Sequence, residues 1–394
     1  MGKRARSARR TARIKASRRS GGEDLSSLPE LGSLTELPAY EELRPHESQL
    51  AAYHEIADTS RGEDDAPVLG CVVRLDRGYP AVLTERELFR AEFSARLTKG
   101  EFSRVAVGDW VCVRSPHDHD MGRIERILPR VSDIARWKGG NRGERQTLAA
   151  NVDVVIVAQA LEEWRMSAGR IARSAVVARD CGAQVAVVLT KADLAGSEDV
   201  RTAVGLVREV LGHEAPLAVV ASLGDGDEAV ELRRAAEESG AAWGVPSVRE
   251  MVAPLHTGIM LGPSGVGKST LLNALLGRQA LETGAVRESD GAGRHTTVTR
   301  RMVSIPGAGV IVDAPGLRTL QMVGHERGLA MVFPEIADAA RECRFRDCTH
   351  THEPGCEVLA RFGDPDSSPR LSTYLALAAE MRASAQVLDP DIVL

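Results

Sequence analysis

Residues 262–270 read GPSGVGKST, with the spacing G-x-x-x-x-G-K-[ST]. Glycines in such a loop let backbone N–H groups converge on phosphate oxygens without Cβ interference. The cradle runs through Gly262, Ser264, Gly265, Val266, Gly267 and Thr270. Lys268 is placed to reach the β- and γ-phosphates, and the Ser269 hydroxyl to ligate Mg²⁺. An apolar run, TGIMLG, precedes the loop, and KSTLLNALLG follows as an amphipathic helix, which is the context the motif requires. The N-terminus of that helix adds favourable partial charge. Upstream, VVLTKAD (187–193) reads as a strand ending in Thr190, Lys191 and Asp193. The Lys191 stem can pack on a purine face. The Asp193 carboxylate, an acceptor only, can take hydrogen bonds from guanine N1–H and the 2-amino group, a donor pair that adenine lacks.

A third stretch, VIVDAPGLR (310–318), ends a strand on Asp313, which can hold Mg²⁺ through water, and places the Gly316 N–H for contact with a γ-phosphate. Between phosphate loop and this strand lies GRHTTV (293–298), where a mobile switch with a Mg²⁺-binding threonine belongs. The chain order is therefore base reader, phosphate loop, switch, Asp-Ala-Pro-Gly. That is the set of parts of a GTPase, rotated. Cutting the sheet before the strand that leads to the base reader, and joining the old ends, produces it. The new C-terminal region must then be anchored by something, and switch movements can pass to it.

The surrounding sequence supplies the elements that hold these parts. From 152 onward, apolar strand runs (VDVVIVAQA, AQVAVVLT, PLAVVAS, TGIMLG) alternate with helical segments (SAGRIARSAVVARDCG, SEDVRTAVGLVREVLG, GDEAVELRRAAEES), which predicts a mostly parallel sheet with helices on both faces. A strand pair is expected around 300–313. Before this domain, residues 67–131 hold five short β-rich segments separated by turn residues, which predicts a small barrel of the OB type, either a binder of nucleic acid, as such folds commonly are, or a purely structural β-domain. RWKGGNRGERQTLAAN (136–151) reads as a basic connector, either near a phosphate backbone or only a linker.

A length of 394 residues suggests two to four domains. The net charge of −5 is unevenly spread: residues 1–20 hold nine Lys and Arg and no acid, while the other 374 residues carry 41 bases against 55 acids. A basic arm on an acidic body suggests a polyanionic partner. Residues 1–66 are polar and expected to be mostly disordered, with a short helix near YEELRPHESQLAAYHEIA. The sequence has no run of 18 apolar residues and no apolar signal core, so no membrane span is expected and a cytoplasmic location is. Three cysteines (Cys71, Cys112, Cys181) are scattered. The other three cluster in CRFRDCTHTHEPGC, giving Cys343, Cys348, His350 and Cys356 at C-x4-C-x-H-x5-C. Three thiolates and one imidazole form a closed tetrahedral Zn²⁺ set, which leaves no open position for a catalytic water and reads as structural. His352 is an alternative to His350. Arg344, Arg346 and Arg361 flank the cluster and either meet RNA phosphates or are solvated surface.

The rotated motif order, the preceding barrel and the Cys/His region together resemble the ribosome small-subunit-dependent GTPases, the RsgA (YjeQ) family, over residues of about 67 to 385. The resemblance implies a multidomain, circularly permuted P-loop GTPase: a basic arm and linker (1–66), an OB-fold barrel (67–131), a connector (132–151), the α/β GTPase domain (152–328) and a helical zinc-binding module (329–394). It implies GTP/GDP, Mg²⁺ and one structural Zn²⁺ as ligands. It also implies action in late maturation of the small ribosomal subunit, through that subunit and its rRNA, with weak intrinsic turnover that the subunit stimulates; nothing requires more than a monomer. The family's GRHTTT switch is GRHTTV here. His295 matches the histidine proposed to orient the attacking water, Thr297 (alternatively Thr296) the Mg²⁺ threonine, and Val298 replaces the last threonine. The family pattern matches His350 as the zinc ligand. The guanine loop is degraded to VVASLGDG, which leaves Ala221 or, one register on, Ser222 as the N–H donor to guanine O6. Leu317 stands where a Ras-like enzyme has its catalytic glutamine and cannot orient water, so Lys268, Thr297 and His295 carry the chemistry. Leu317 also favours a second reading, a nucleotide-locked RNA-binding scaffold with negligible catalysis. An ATPase is the third reading. Asp193→Asn separates it from a GTPase: loss of preference for GTP over ATP in competition binding is expected, and an unchanged base preference contradicts the assignment.

Overall fold

Strand β8 (Val154–Ala160) is buried at every position, because its side chains feed two cores. Val155 and Val157 enter one cluster and Val154, Ile156 and Ala158 the other, following the period of two of a strand covered on both faces. In the computed structural model, which describes residues 28–59, 66–76, 78–94, 97, 105–116, 121–138, 144–161, 166–222, 226–279, 299–314, 322 and 324–388, β8 lies inside a sheet of order β11-β10-β9-β8-β12-β14-β13. Its other members are β9 (Gln184–Thr190), β10 (Leu217–Val219), β11 (Ala242–Trp243), β12 (Thr257–Leu261), β13 (Arg300–Ser304) and β14 (Val310–Asp313). All pair in parallel except β13, which runs antiparallel to β14. The expected pair around 300–313 is β13–β14. Helices α2 (Ala168–Asp180), α3 (Ser197–Leu211) and α4 (Asp227–Glu238) cover one face; α5 (Gly244–Glu250) and α6 (Lys268–Leu276) cover the other. α5 has no counterpart in the sequence expectation. Its seven residues, with Pro246 inside, give too short a periodic signal.

The barrel has the strands expected: β1 (Val68–Asp76), β2 (Tyr79–Thr84), β3 (Leu88–Phe93), β4 (Trp110–Arg114) and β5 (Gly122–Ile127). Their order is β1-β2-β3-β5-β4, and β4 pairs back onto β1 to close the ring. β3–β5 is parallel and the remaining pairs antiparallel, the closed Greek-key barrel of an OB-fold. The barrel is not separate from the sheet. β1 also pairs antiparallel with β13, through Arg74↔Arg301 and Leu75↔Arg300, which joins barrel and sheet into one hydrogen-bonded array.

Two expectations are corrected. Residues 132–151, read as a connector, form an antiparallel hairpin of β6 (Asp133–Lys138) and β7 (Glu144–Ala150). It is fastened to the barrel by Arg130, whose guanidinium donates to both Asp109 oxygens at 2.7 Å and to Thr147 Oγ1 at 2.6 Å. The segment expected to be mostly disordered contains ordered chain at 36–59. Ser304 N–H donates to Glu36 O at 3.0 Å, alongside β13. Helix α1 (Glu47–Thr59), the short helix expected there, buries Gln49, which donates to Pro129 O and Asn151 Oδ1 at 3.0 and 2.9 Å. Residues 28–35 belong to a separate unit with a single 3-10 turn, Leu31–Ser33. The basic arm 1–20 lies outside the described residues.

The C-terminal region packs α7 (Glu326–Val332), α8 (Pro334–Arg341), α9 (Glu357–Phe362) and α10 (Pro369–Leu388) on the α2–α3 side of the sheet. Asp180 at the end of α2 accepts from Gly328 N–H at 3.1 Å and pairs with His325 Nδ1 at 2.8 Å. Arg370 donates to Val210 O and Val332 O and pairs with Glu335, tying α10 to the end of α3. No helix among the described residues is long and apolar enough to cross a membrane. Gly328 permits the closest approach here, since a Cβ would lie 2.1 Å from Val176 O. Gly328→Ala is therefore expected to destabilise the fold by about 1–3 kcal/mol, read as a lowered thermal midpoint. An unchanged midpoint would contradict this packing.

Candidate functional site

The site forms at the C-terminal ends of the parallel strands, where loops leave β9, β12 and β14, with β8 between the first two. β12 delivers the phosphate loop. Gly262 lies against the carbonyl of Ala158 on β8, so close that a Cβ would meet that oxygen at 2.6 Å. Gly265 and Gly267 take φ of 77° and 93°, a region favouring glycine, and Lys268 opens α6 immediately afterwards. The Lys268 ammonium is held at the mouth of the loop, donating to Gly262 O and Pro263 O at 2.7 and 2.8 Å. Val266 is buried, whereas Ser264, Gly265 and Thr270 are exposed and Ser269 is half-buried.

β9 delivers the turn expected to read the base. Thr190 is buried, its carbonyl accepts from Leu161 N–H at 2.9 Å, and its Oγ1 donates to Val266 O of the phosphate loop at 2.6 Å. A side chain at the end of one strand thus sets the phosphate loop of another. Lys191 follows in the left-handed region, φ 59° and ψ 38°, uncommon for a residue with a Cβ and a frequent mark of a constrained site. This turn brings Asp193 back toward β10, where its Oδ1 accepts from Ser222 N–H at 2.9 Å. Ala192 N–H donates to Val220 O at 3.1 Å. Residues 190–193 and 220–222 are therefore laced together.

Asp313 ends β14, which pairs with β12 through Ile259↔Val312 and so approaches the phosphate loop from the other side. Arg301 of β13 stands opposite it, with Nε 3.8 Å from Asp313 Oδ2. The sequence reading missed Arg301, since nothing in TRRMV marks one arginine before strand pairing is known. Ser269 and Asp313 offer the hard oxygen donors that suit Mg²⁺. His295, Thr296, Thr297, Val298, Gly316 and Leu317 lie outside the described residues.

The cysteine cluster lies apart from this site, between α8 and α9. One donor atom each from Cys343, Cys348, His350 and Cys356 lies within 4.8 Å of the others. Cys343 Sγ is 3.6 Å from His350 Nδ1 and 4.0 Å from Cys356 Sγ, and Cys356 Sγ is 3.5 Å from His350 Nδ1. Tetrahedral zinc, with bonds of about 2.3 Å to sulfur and 2.0 Å to nitrogen, separates such donors by about 3.5–3.8 Å. The donor set fits that ion, with Nδ1 as the imidazole donor. His352, the alternative, is exposed and pairs its Nδ1 with Thr351 Oγ1 at 2.8 Å. Burial lowers the His350 pKa, which favours its neutral form. Glu353 braces the ligand loop by accepting from the N–H groups of Thr349, Thr351 and His352. Cys356 caps α9, its sulfur accepting from Leu359 N–H at 3.4 Å.

Comparison with known proteins gives this geometry a family. Residues 127–323 match the RsgA GTPase family. Over 324 residues the chain is 40% identical to the small ribosomal subunit biogenesis GTPase RsgA of Streptomyces avermitilis, covering 81% of this chain and 80% of that protein. Over 326 residues it is 34% identical to the protein of that name from Leptospira interrogans, covering 82% and 84%. Two crystal structures are similar in fold: YjeQ from Thermotoga maritima, with TM-score 0.55, 24% identity and coverage of 80% of this chain and 99% of that one, and YloQ, a circularly permuted GTPase, with TM-score 0.53, 20% identity and coverage of 82% and 98%. With 40% identity to a curated relative across four fifths of its length, and a family match over half of it, the chain belongs to the RsgA GTPase family and is thereby a GTP-hydrolysing enzyme.

Proposed function

We propose that this GTPase acts on the small ribosomal subunit in the cytoplasm, as a monomer, hydrolysing GTP to GDP and phosphate in a late maturation step that the subunit itself stimulates. The name shared by its relatives supports the partner. The observation that carries the chemistry is the 2.6 Å bond from Thr190 Oγ1 to Val266 O, which draws base reader and phosphate loop into one site.

In this reading the Asp193 carboxylate accepts from guanine while Lys191 packs on its face. Ser222 N–H already serves Asp193, which leaves Ala221 N–H as the donor to guanine O6. The loop 262–267 and the start of α6 cradle the phosphates, and Lys268 passes from two carbonyl oxygens to the β- and γ-phosphates. Ser269, Asp313 and Thr297 would hold Mg²⁺, which supplies neutralisation of the charge on the phosphate oxygens. Gly316 N–H meets the γ-phosphate, and His295 holds the attacking water. Leu317 has no group for that task, so turnover stays slow until partner contacts place His295 and water. A stimulation of three orders of magnitude needs only roughly 4 kcal/mol of extra transition-state stabilisation, within the reach of one ordered loop and one imidazole.

Cys343, Cys348, His350 and Cys356 would hold a structural Zn²⁺, which would make the α8–α9 module rigid. Together with the barrel and the β6–β7 hairpin, that module presents the surface for rRNA. The division into barrel (67–131), GTPase domain (152–328) and zinc module (329–394) belongs to this proposal.

The test is GTP turnover at moderate salt with Mg²⁺, for the protein alone and with purified ribosomal subunits. Strong stimulation by the small but not the large subunit is expected. His295→Ala and Lys268→Ala should each lower the stimulated rate by about a hundredfold or more. Equal background turnover in wild type and both variants, with GTP still bound, would instead favour the scaffold reading.

A further inference from the structure

Arg301 stands at the crossing of barrel and sheet. Its Cα partner on one side is Asp313 and on the other Arg74 of β1. Two guanidinium groups facing each other across strands repel. Glu36 resolves this: Arg301 Nη1 bonds Glu36 Oε1, and Arg74 Nη1 lies 4.0 Å from the same oxygen. Arg74 in turn donates through Nε to both Asp76 oxygens at 2.9 and 2.8 Å. Arg90 of β3 reaches Asp76 Oδ2 at 2.9 Å, and Thr299 Oγ1 donates to Asp76 Oδ1 at 3.1 Å. The charges alternate from barrel to nucleotide site: Arg90, Asp76, Arg74, Glu36, Arg301, Asp313. Their side chains run from 4% exposed at Asp76 to 28% at Asp313, so water and salt screen them weakly. Burial acts to raise the Asp76 pKa, but the hydrogen bonds and charges of Arg74 and Arg90 outweigh it and hold the carboxyl below its ordinary value.

We propose that Arg301 is a positioning residue that competes with Mg²⁺ for Asp313, and that Glu36 sets the strength of this competition by neutralising Arg301. This rests on the assignment of Asp313 to Mg²⁺. At 3.8 Å the Arg301–Asp313 pair is loose, because the guanidinium gives its closer contact to Glu36. A dication arriving at Asp313 meets whatever part of the Arg301 charge Glu36 leaves uncompensated. Glu36 is itself divided between Arg301 and Arg74, and Asp76 decides that division through its hold on Arg74. Asp76 also takes the hydroxyl of Thr299, the residue directly after GRHTTV. One barrel carboxylate thus touches both the residue that follows the switch sequence and the chain of charges that ends at Asp313. Force on the barrel strands changes the grip on Mg²⁺ and, with it, the retention of nucleotide.

The experiment follows release of a fluorescent GDP analogue from the full-length protein against Mg²⁺ concentration, with thermal unfolding of each variant beside it. Wild type should release more slowly as Mg²⁺ rises, and Asp313→Ala should remove that dependence. Arg301→Gln is expected to lower the half-effective Mg²⁺ concentration by about threefold to tenfold, and Glu36→Gln to raise it by a similar factor. The double variant should return close to wild type. Arg301→Lys, which keeps the charge, should also stay near wild type and carries the comparison with Glu36→Gln if Arg301→Gln unfolds. Shifts of the same sign in Arg301→Gln and Glu36→Gln, or no shift in either, would overturn the competition while leaving the Mg²⁺ assignment standing. Release indifferent to Mg²⁺ in wild type would overturn both.

Discussion

The structure turns on one buried hydroxyl. Thr190 Oγ1 bonds the carbonyl of Val266, residues 76 positions apart in the chain and two strands apart in the sheet. In a dry site such a bond is costly to leave unmade, because the Val266 oxygen would lose its partner without gaining water. It makes the positions of the base-reading turn and the phosphate loop a single quantity. Gly262 against Ala158 O holds the phosphate loop close to β8, the strand between β9 and β12. With the two loops fixed to one sheet edge, the order in which the chain visits them is of no consequence to the site. A parallel sheet has no preferred starting strand, and the rotated motif order is a matter of connectivity alone.

Rotation does have a consequence outside the site. It leaves β13 and β14 followed by a new C-terminal region and preceded by a barrel, and the structure fastens both. β13 pairs with β1, so the barrel continues the sheet rather than hanging from it. Downstream, Asp180, Gly328 and Arg370 clamp α7 and α10 to α2 and α3. From the cysteine cluster, His350 leads to the Tyr374 ring at 6.3 Å, and Tyr374 meets Phe333 edge-on at 5.7 Å. A rigid metal loop there would share a packed path with the helices behind β9. Barrel, nucleotide site and C-terminal module are therefore mechanically continuous, as an enzyme needs if partner contacts are to change its chemistry.

Much of this was legible in the sequence because it rests on local pattern. The strand runs, the glycine-framed loop before KSTLLNALLG and the five β segments of 67–131 each announce their element. The Cys343, Cys348, His350, Cys356 spacing announced a cluster that the fold then assembles. What was not legible depends on partners distant in the chain. The hairpin at 133–150 looked like a linker because its basic, glycine-containing sequence has weak strand pattern; its order comes from Arg130 reaching Asp109 and Thr147. In residues 36–59 only a short helix was legible; the anchoring of the segment was not, because polar groups such as Glu36 and Gln49 find buried partners only once β13 and the barrel exist. Arg301 carried no signal for the same reason.

The measurement that bears most directly on this account is the affinity of Thr190→Val for GTP and GDP, beside Thr190→Ser. Valine keeps the shape and removes only the hydroxyl, while serine keeps the donor. If one bond joins base reader to phosphate loop, Thr190→Val should bind both nucleotides about tenfold more weakly, with the fold intact by thermal unfolding, and Thr190→Ser should stay within about twofold of wild type. Thr190→Val binding both nucleotides as tightly as wild type would contradict the account.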